Sequence, residues 1–152
     1  MQPQFRVSGR IDRPVDEVFE AVADPKQLSK YFTTGGAEGR LATGATVSWD
    51  FHDFPGAFPV HVVEVVENEK IVLRWGAAPD EDAGGAYDTT VVMSFAALED
   101  GRTLVTIEES GFRSTEAGVK ASYGNCEGWT GMLCAMKVWL EHGINLREGF
   151  YK

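Results

Sequence analysis

The sequence predicts an α+β domain in which a curved antiparallel sheet is covered by one long C-terminal helix. Strand and turn patterns fill the region from 47 to 112, and a strongly amphipathic helix follows only after them. A shorter helical pattern stands between the first strand and the rest. The chain has 152 residues, of which 43% are hydrophobic, so residues 1–152 are predicted to form a single domain with its own core.

The chain opens with a strand and two helices. Apolar and polar residues alternate over 5–11, which is the period-2 pattern of a half-buried strand. Asp12 offers a helix cap and Pro14 suits a first helical turn, so a helix is predicted to begin there and to end near Asp24. A second short helix is predicted over 26–32.

The middle of the chain reads as a succession of strands joined by turns. The predicted strands lie at 47–51, 58–66, 71–75, 87–98 and 102–112. Asn68-Glu69 and the Glu99-Asp100-Gly101 turn are short connections, so consecutive strands should pair antiparallel. The segment 77–86, rich in Asp, Ala and Gly, is expected to be a mobile loop.

The amphipathic helix near the C-terminus is the most informative segment. It is predicted to open near Ser114-Thr115-Glu116, where a hydroxyl cap precedes a first-turn carboxylate, and to end at Gly143. Gly118 and Gly124 lower helix propensity, so a break before Asn125 stays open as an alternative. Its apolar face consists of Trp129, Met132, Leu133, Met136, Trp139 and Leu140.

Charge and composition exclude several classes of protein. The chain carries 23 Asp and Glu against 14 Lys and Arg, a formal net charge of -9, which repels phosphate backbones and anionic lipid surfaces. Neither nucleic acid nor a membrane is therefore expected as a partner.

No apolar run approaches the roughly 20 residues that span a bilayer, and the N-terminus lacks a signal-peptide pattern, so a cytoplasmic location is expected.

The two cysteines are predicted to stay reduced. Cys126 and Cys134 lie on the same predicted helix, where their spacing separates them by roughly 12 Å along the axis. That separation is too large for a disulfide bond between them. A reducing compartment is the simplest setting for such a chain.

Several segments, taken together in their order and spacing, resemble one known superfamily. They are Ile11–Phe19, Val63–Val65 followed by Leu73–Trp75, Thr103 with Glu109–Phe112, and Gly128-Trp129 with Leu133. Over nearly its whole length the chain resembles the helix-grip superfamily of birch-pollen-allergen-like proteins, START-related lipid-transfer domains and polyketide cyclases (SRPBCC). Within it, the chain is most similar to the branch named after the activator of heat-shock protein 90 ATPase.

This resemblance implies a fold but not an activity. The implied fold is a seven-stranded antiparallel sheet that grips a long C-terminal helix, with two short helices closing one end. Members include ligand carriers, cyclases and stress-related proteins, so the superfamily supplies no shared catalytic constellation.

The predicted functional site is a cavity between the sheet and the last helix. Aromatic and methionine side chains with a few polar groups are the usual lining of a small-molecule site. The competing interpretation is that these side chains simply fill the core. The predicted ligand contacts are Trp49, His61, Trp75, Met93, Glu109, Trp129, Met132, Leu133 and Met136.

Glu109 and His61 are the candidates for acid–base chemistry. Alternation with Val105 turns Glu109 inward, where a carboxyl could bind a polar group or transfer a proton, although a bulge near Gly111 would turn it to solvent. Alternation with Val63 puts His61 on the same concave face, where an imidazole could exchange protons. The plainer interpretation of His61 is a hydrogen-bonded histidine at a strand edge.

No metal or cofactor motif is present. The three histidines are scattered and the cysteines lack a Cys-x-x-Cys spacing, so no metal site is expected. The sequence also lacks a Gly-x-Gly-x-x-Gly or Walker loop and a Gly-x-Ser-x-Gly elbow, so no cofactor and no serine nucleophile are expected.

Three function hypotheses remain. The first is a module that binds a small apolar or amphipathic molecule in the cavity. The second is a cyclase- or hydratase-like enzyme that uses Glu109 or His61 as acid or base. The third, implied by the family name, is a chaperone cofactor or stress-response interaction protein. A homodimer is also open.

Overall fold

The computed structural model describes residues 2–77 and 84–152 and has the predicted α+β architecture. The mobile loop predicted over 77–86 lies mostly at 78–83, outside the described residues. The elements are β1 (Phe5–Ile11), α1 (Val15–Ala23), α2 (Pro25–Leu28), β2 (Gly36–Glu38), β3 (Thr46–Phe51), β4 (Phe54–Val66), β5 (Lys70–Gly76), β6 (Asp88–Ala97), β7 (Thr103–Ser110) and α3 (Glu116–His142).

Within the described residues, seven strands form one antiparallel sheet in the order β1-β7-β6-β5-β4-β3-β2. Each strand from β2 to β7 pairs with its neighbour in sequence, as the short predicted turns require. Asn68 adopts φ 62° in the tight turn between β4 and β5, a backbone conformation that asparagine tolerates better than most residues. The first strand, β1, lies at one edge of the sheet and pairs with the last strand, β7, with Val7 opposite Ile107.

Helix α3 runs without interruption from Glu116 to His142. The break considered before Asn125 does not occur, because the apolar face of α3 is buried over much of its length. Thr115 accepts a hydrogen bond from the backbone N–H of Gly118 at 3.0 Å, and Gly143 ends the helix with φ 70°. Both predicted limits of the helix are thereby confirmed.

Two local features differ from the sequence-based expectation. The second helix spans only Pro25–Leu28 rather than 26–32, because the backbone then passes into turns, with Tyr31 and Phe32 both donating to the carbonyl of Leu28. The strand β2 was not predicted, since its three residues are too few to show an alternating pattern. No helix in the described part of the chain is long and apolar enough to cross a membrane.

Candidate ligand cavity

A cavity of about 440 Å³ lies between the first half of α3 and the neighbouring ends of β3, β4 and β5. Its volume falls within the range of ordinary small-molecule sites. Six of its lining residues are phenylalanine or tryptophan, and two are glycines of α3. The lining residues are Phe32, Phe51, Phe54, Phe58, Trp75, Gly124, Asn125, Glu127, Gly128, Trp129, Arg147 and Tyr151.

The middle of the space between α3 and the sheet is packed with side chains rather than hollow. Methionine and tryptophan side chains from both layers fill this space, so five of the predicted contacts belong to the hydrophobic core: Trp49, Met93, Met132, Leu133 and Met136. Trp49, Met93, Met132 and Met136 are at most 1% exposed, and Leu133 is 6% exposed. Of the nine predicted contact residues, Trp75 and Trp129 line the cavity.

Glu109 lies directly behind these two tryptophans. It is 1% exposed, as strand alternation predicts, and its carboxylate accepts hydrogen bonds from four neutral groups. The Nε1 of Trp129 donates to Oε1 at 2.9 Å, and the Nε1 of Trp75 donates to Oε2 at 2.9 Å. Thr89 Oγ1 donates to Oε2 at 2.6 Å, and Asn125 Nδ2 lies 3.2 and 3.0 Å from the two oxygens.

This carboxylate fixes the orientation of the cavity wall. Each indole is held at its nitrogen by Glu109 and packed against other rings, with Trp75 and Trp129 centroids 5.3 Å apart. Phe32 stacks on Trp129 at 5.4 Å, and Trp49 meets Trp75 edge-on at 5.9 Å from the core side. The aromatic wall is therefore pre-formed before any ligand enters.

The prediction that His61 faces the cavity was wrong. A bulge between Val62 and Glu64 places an extra residue in β4, so the alternation reverses parity along this strand. Val60 and Val62 are buried while His61 is exposed. Its Nδ1 lies 3.2 Å from Thr46 Oγ1 on the adjacent strand, which matches the plainer interpretation of a strand histidine.

Two glycines of α3 leave open space at the cavity wall. A Cβ added at Gly124 or Gly128 would meet nothing within 4 Å. By contrast, a Cβ at Gly131 would collide with the hydroxyl of Tyr151, and one at Gly118 would collide with the carbonyl of Arg113. The glycines at 118 and 131 are thus explained by close packing, whereas those at 124 and 128 are not.

The C-terminal segment after α3 closes one side of the cavity. Arg147 forms two hydrogen bonds with Asp53, from Nη1 to Oδ2 at 2.6 Å and from Nη2 to Oδ1 at 2.9 Å. The guanidinium also lies over the ring of Tyr151, 4.8 Å from its centroid. The hydrogen bonds from Arg147 hold the pKa of Asp53 below its usual range, although burial opposes this effect.

A second, apolar groove of about 580 Å³ runs along the outer face of α3 beside the same C-terminal segment. Cys126 and Cys134 lie along it, and both thiols are free. Tyr151 belongs to both walls and separates the groove from the cavity.

In the described residues, no three His, Cys, Asp or Glu side chains cluster closely enough to hold a metal ion.

Sequence reasoning missed several residues of the cavity. Asn125 precedes Trp129 by one helical turn, so helical spacing was a signal that could have placed it on the same face. Arg147 and Tyr151 carried no such signal, because they follow the helix in a segment with no periodic pattern. Phe51, Phe54 and Phe58 lie around a strand-to-strand turn where the register shifts, so alternation could not assign their faces.

The seven-stranded antiparallel sheet and the long helix packed against it together define a helix-grip fold. A model of the family described as Activator of Hsp90 ATPase homolog 1-like protein matches residues 12–141. The chain belongs to this family, as the resemblance in its sequence implied.

Solved structures support the fold over nearly the full length of the chain. A Staphylococcus saprophyticus protein, SSP2350, is 28% identical with a TM-score of 0.78, over 95% of this chain and 96% of that one. DynU16, a putative protein in the dynemicin biosynthetic locus, is 25% identical with a TM-score of 0.76, and the match covers 94% of this chain and 49% of DynU16. The Aha1 dimer from Colwellia psychrerythraea is 18% identical with a TM-score of 0.71, and the match covers 93% of this chain and 98% of the Colwellia chain. No curated protein sequence matches the chain significantly.

Proposed function

We propose that this protein binds a small hydrophobic molecule in the cavity between α3 and the ends of β3 to β5. The observation that carries the proposal is the composition of the wall, in which six phenylalanine and tryptophan side chains surround a space of about 440 Å³. Few polar groups accompany them, notably Asn125 and Glu127 from α3. Such a lining suits an apolar body whose orientation is set by a few polar contacts.

The helix glycines provide independent support. A glycine inside a helix costs about 1 kcal/mol relative to alanine. Gly124 and Gly128 bring no close packing in return, because a Cβ at either position would meet nothing within 4 Å. Room for a ligand explains why both positions lack a side chain, since they lie one helical turn apart on the cavity side.

The pre-formed wall also favours binding. Glu109 holds Trp75 and Trp129 through their indole nitrogens, so a ligand need not immobilise these side chains when it enters. Ordering a side chain on binding costs about 0.5–1.5 kcal/mol, and this cost is already met in the free protein.

The enzyme hypothesis is less well supported by the same geometry. It named Glu109 and His61 as the acid or base, and His61 lies on the exposed face of the sheet. Glu109 is buried, but its oxygens are occupied by indole, amide and hydroxyl donors. A carboxylate engaged in this way acts as an anchor for its neighbours rather than as a proton carrier.

The likeness to DynU16 is compatible with small-molecule binding, because that protein is described as belonging to a biosynthetic locus.

The chaperone-cofactor hypothesis stays a prediction that rests on the family description. It would be tested by adding the protein to a chaperone ATPase and measuring turnover. The homodimer likewise stays a prediction, with sedimentation velocity as its test.

Native mass spectrometry of freshly purified protein, followed by titration with the uncharged fluorescent compound N-phenyl-1-naphthylamine and other aromatic compounds, tests the proposal. Binding is expected to change tryptophan fluorescence, because two of the four tryptophans line the cavity. Gly128→Leu should fill the cavity and abolish binding.

Lys120→Leu is the matched control, since it adds the same side chain at an exposed position of the same helix and should leave binding unchanged. Equal binding by the wild type and Gly128→Leu would exclude the cavity as the site.

A further inference from the structure

We propose that the ligand carries a positive charge, as a hydrophobic amine or a quaternary ammonium group, held by the aromatic cavity in front of Glu109. This inference rests on the proposed function of the cavity and adds the chemical class of the ligand. It comes from two features that lie back to back, a cage of aromatic rings and a buried carboxylate behind it.

The rings are arranged as a cage suited to a cation. Trp129 contacts both Phe32 and Trp75, with centroid separations of 5.4 and 5.3 Å, and Phe58 meets Trp75 at 6.0 Å. All four rings line the cavity. The face of an aromatic ring carries partial negative charge, so several rings around one space attract a cation. The indole N–H groups of both tryptophans are engaged by Glu109, so they are not available as donors to an anionic ligand.

The charge behind the cage has no cationic counterpart among its described contacts. Glu109 is 1% exposed, and the groups that donate to it are the neutral side chains of Trp75, Thr89, Asn125 and Trp129. A buried anion of this kind favours a positive charge nearby, because the low-dielectric interior screens it poorly.

The other charged groups around the cavity do not offset this field. Arg147 lines the wall, but its charge is balanced by the two hydrogen bonds with Asp53. Glu127 adds a further negative charge at the wall. Lys152 Nζ lies over the exposed ring of Phe54, 4.5 Å from its centroid, and Lys152 does not itself line the cavity.

Tyr151 adds no negative charge near neutral pH. Burial, with a contribution from the charge of Glu127, raises the pKa of its hydroxyl above the usual value. An anionic ligand would therefore meet aromatic faces, two carboxylates and a guanidinium that is already paired, whereas a cation meets complementary charge on the same surfaces.

The test compares benzyltrimethylammonium with neopentylbenzene, its neutral isostere, by displacement of the uncharged fluorescent probe N-phenyl-1-naphthylamine from the cavity. The wild type should bind the cation about tenfold more tightly, which is within the strength of desolvated cation–π contacts. Glu109→Gln should reduce this preference, and Glu108→Gln is the matched control, since Glu108 is exposed on the opposite face of the same strand.

Glu109→Gln also disturbs the hydrogen bonds of the indoles. A second variant is therefore needed to separate the loss of charge from the loss of these hydrogen bonds. Glu127→Gln removes a charge from the wall without touching the buried cluster and should lower the preference by a smaller factor. If the two compounds bind the wild type equally, or the neutral one binds better, the charge inference is overturned while the cavity remains the ligand site. If neither compound, nor any other aromatic compound, binds, both the inference and the proposed function fail.

Discussion

Asp53 and Arg147 form an ion pair in which both side chains are nearly buried, at 7% and 8% exposure, and which spans 94 positions of the chain. Asp53 lies in the turn between β3 and β4, and Arg147 lies in the segment after α3. The pair therefore fastens the C-terminal segment to the sheet at the side of the cavity.

Asp53→Ala should destabilise the protein by about 3 kcal/mol, because it leaves the nearly buried guanidinium of Arg147 without its carboxylate partner. Urea denaturation followed by circular dichroism measures the change. Asp100→Ala is the matched control, since Asp100 pairs with Arg102 at the surface and its loss should leave the midpoint almost unchanged. Similar midpoints for the two variants would show that the ion pair does not stabilise the fold.

The same pair predicts a loss of stability in acid. Hydrogen bonds and charge from Arg147 lower the pKa of Asp53 from its usual value of 3.8, although burial acts in the opposite direction. Because the folded-state pKa of Asp53 is lower than its unfolded-state pKa, the ionised carboxylate stabilises the fold fully at pH values above the unfolded-state pKa. This stabilisation is lost as the pH falls through the folded-state pKa. Unfolding free energy should therefore drop below about pH 4 more steeply in the wild type than in Asp53→Asn. Parallel curves for the two proteins would contradict the assignment.

Gly128→Ala should stabilise the protein by about 1 kcal/mol while weakening ligand binding. The added methyl group meets nothing within 4 Å, yet it occupies space at the cavity wall. Gly118→Ala is the contrasting variant, because its Cβ would collide with the carbonyl of Arg113 and should lower stability. Thermal denaturation and ligand titration measure the two effects, and a stabilised Gly128→Ala with unaltered affinity would argue against a ligand at this wall.

Glu109→Ala should cost at least about 2 kcal/mol, because it leaves the buried donors of Trp75, Trp129 and Thr89 without an acceptor. The near-ultraviolet circular dichroism of the tryptophans should change at the same time, since both indoles lose their anchor. The exposed neighbour Glu108→Ala should alter neither signal. A Glu109→Ala spectrum identical to that of the wild type would mean that packing alone orients the indoles.

Alternation along strands was sufficient to orient several side chains correctly. Val105, Ile107 and Glu109 are all buried, because β7 pairs along its length with β1 and β6 without a register shift. The same reasoning failed for His61, where the bulge between Val62 and Glu64 reverses the parity. A one-residue irregularity leaves almost no trace in a hydrophobic pattern, yet it exchanges the two faces of the strand.

By itself, the sequence determined the class of fold and the two ends of α3, and strand alternation favoured an inward-facing Glu109. These depend on local periodicity and on capping residues, which act between positions close together in the chain. The tertiary structure decided where the cavity lies, because that depends on contacts between distant segments. Asp53 meets Arg147 across the chain, and Trp75 and Trp129 meet at Glu109 from separate elements. The same packing that filled the middle of the fold left one end open between the glycines of α3 and the aromatic rings, and no local pattern records which side chains complete such a wall.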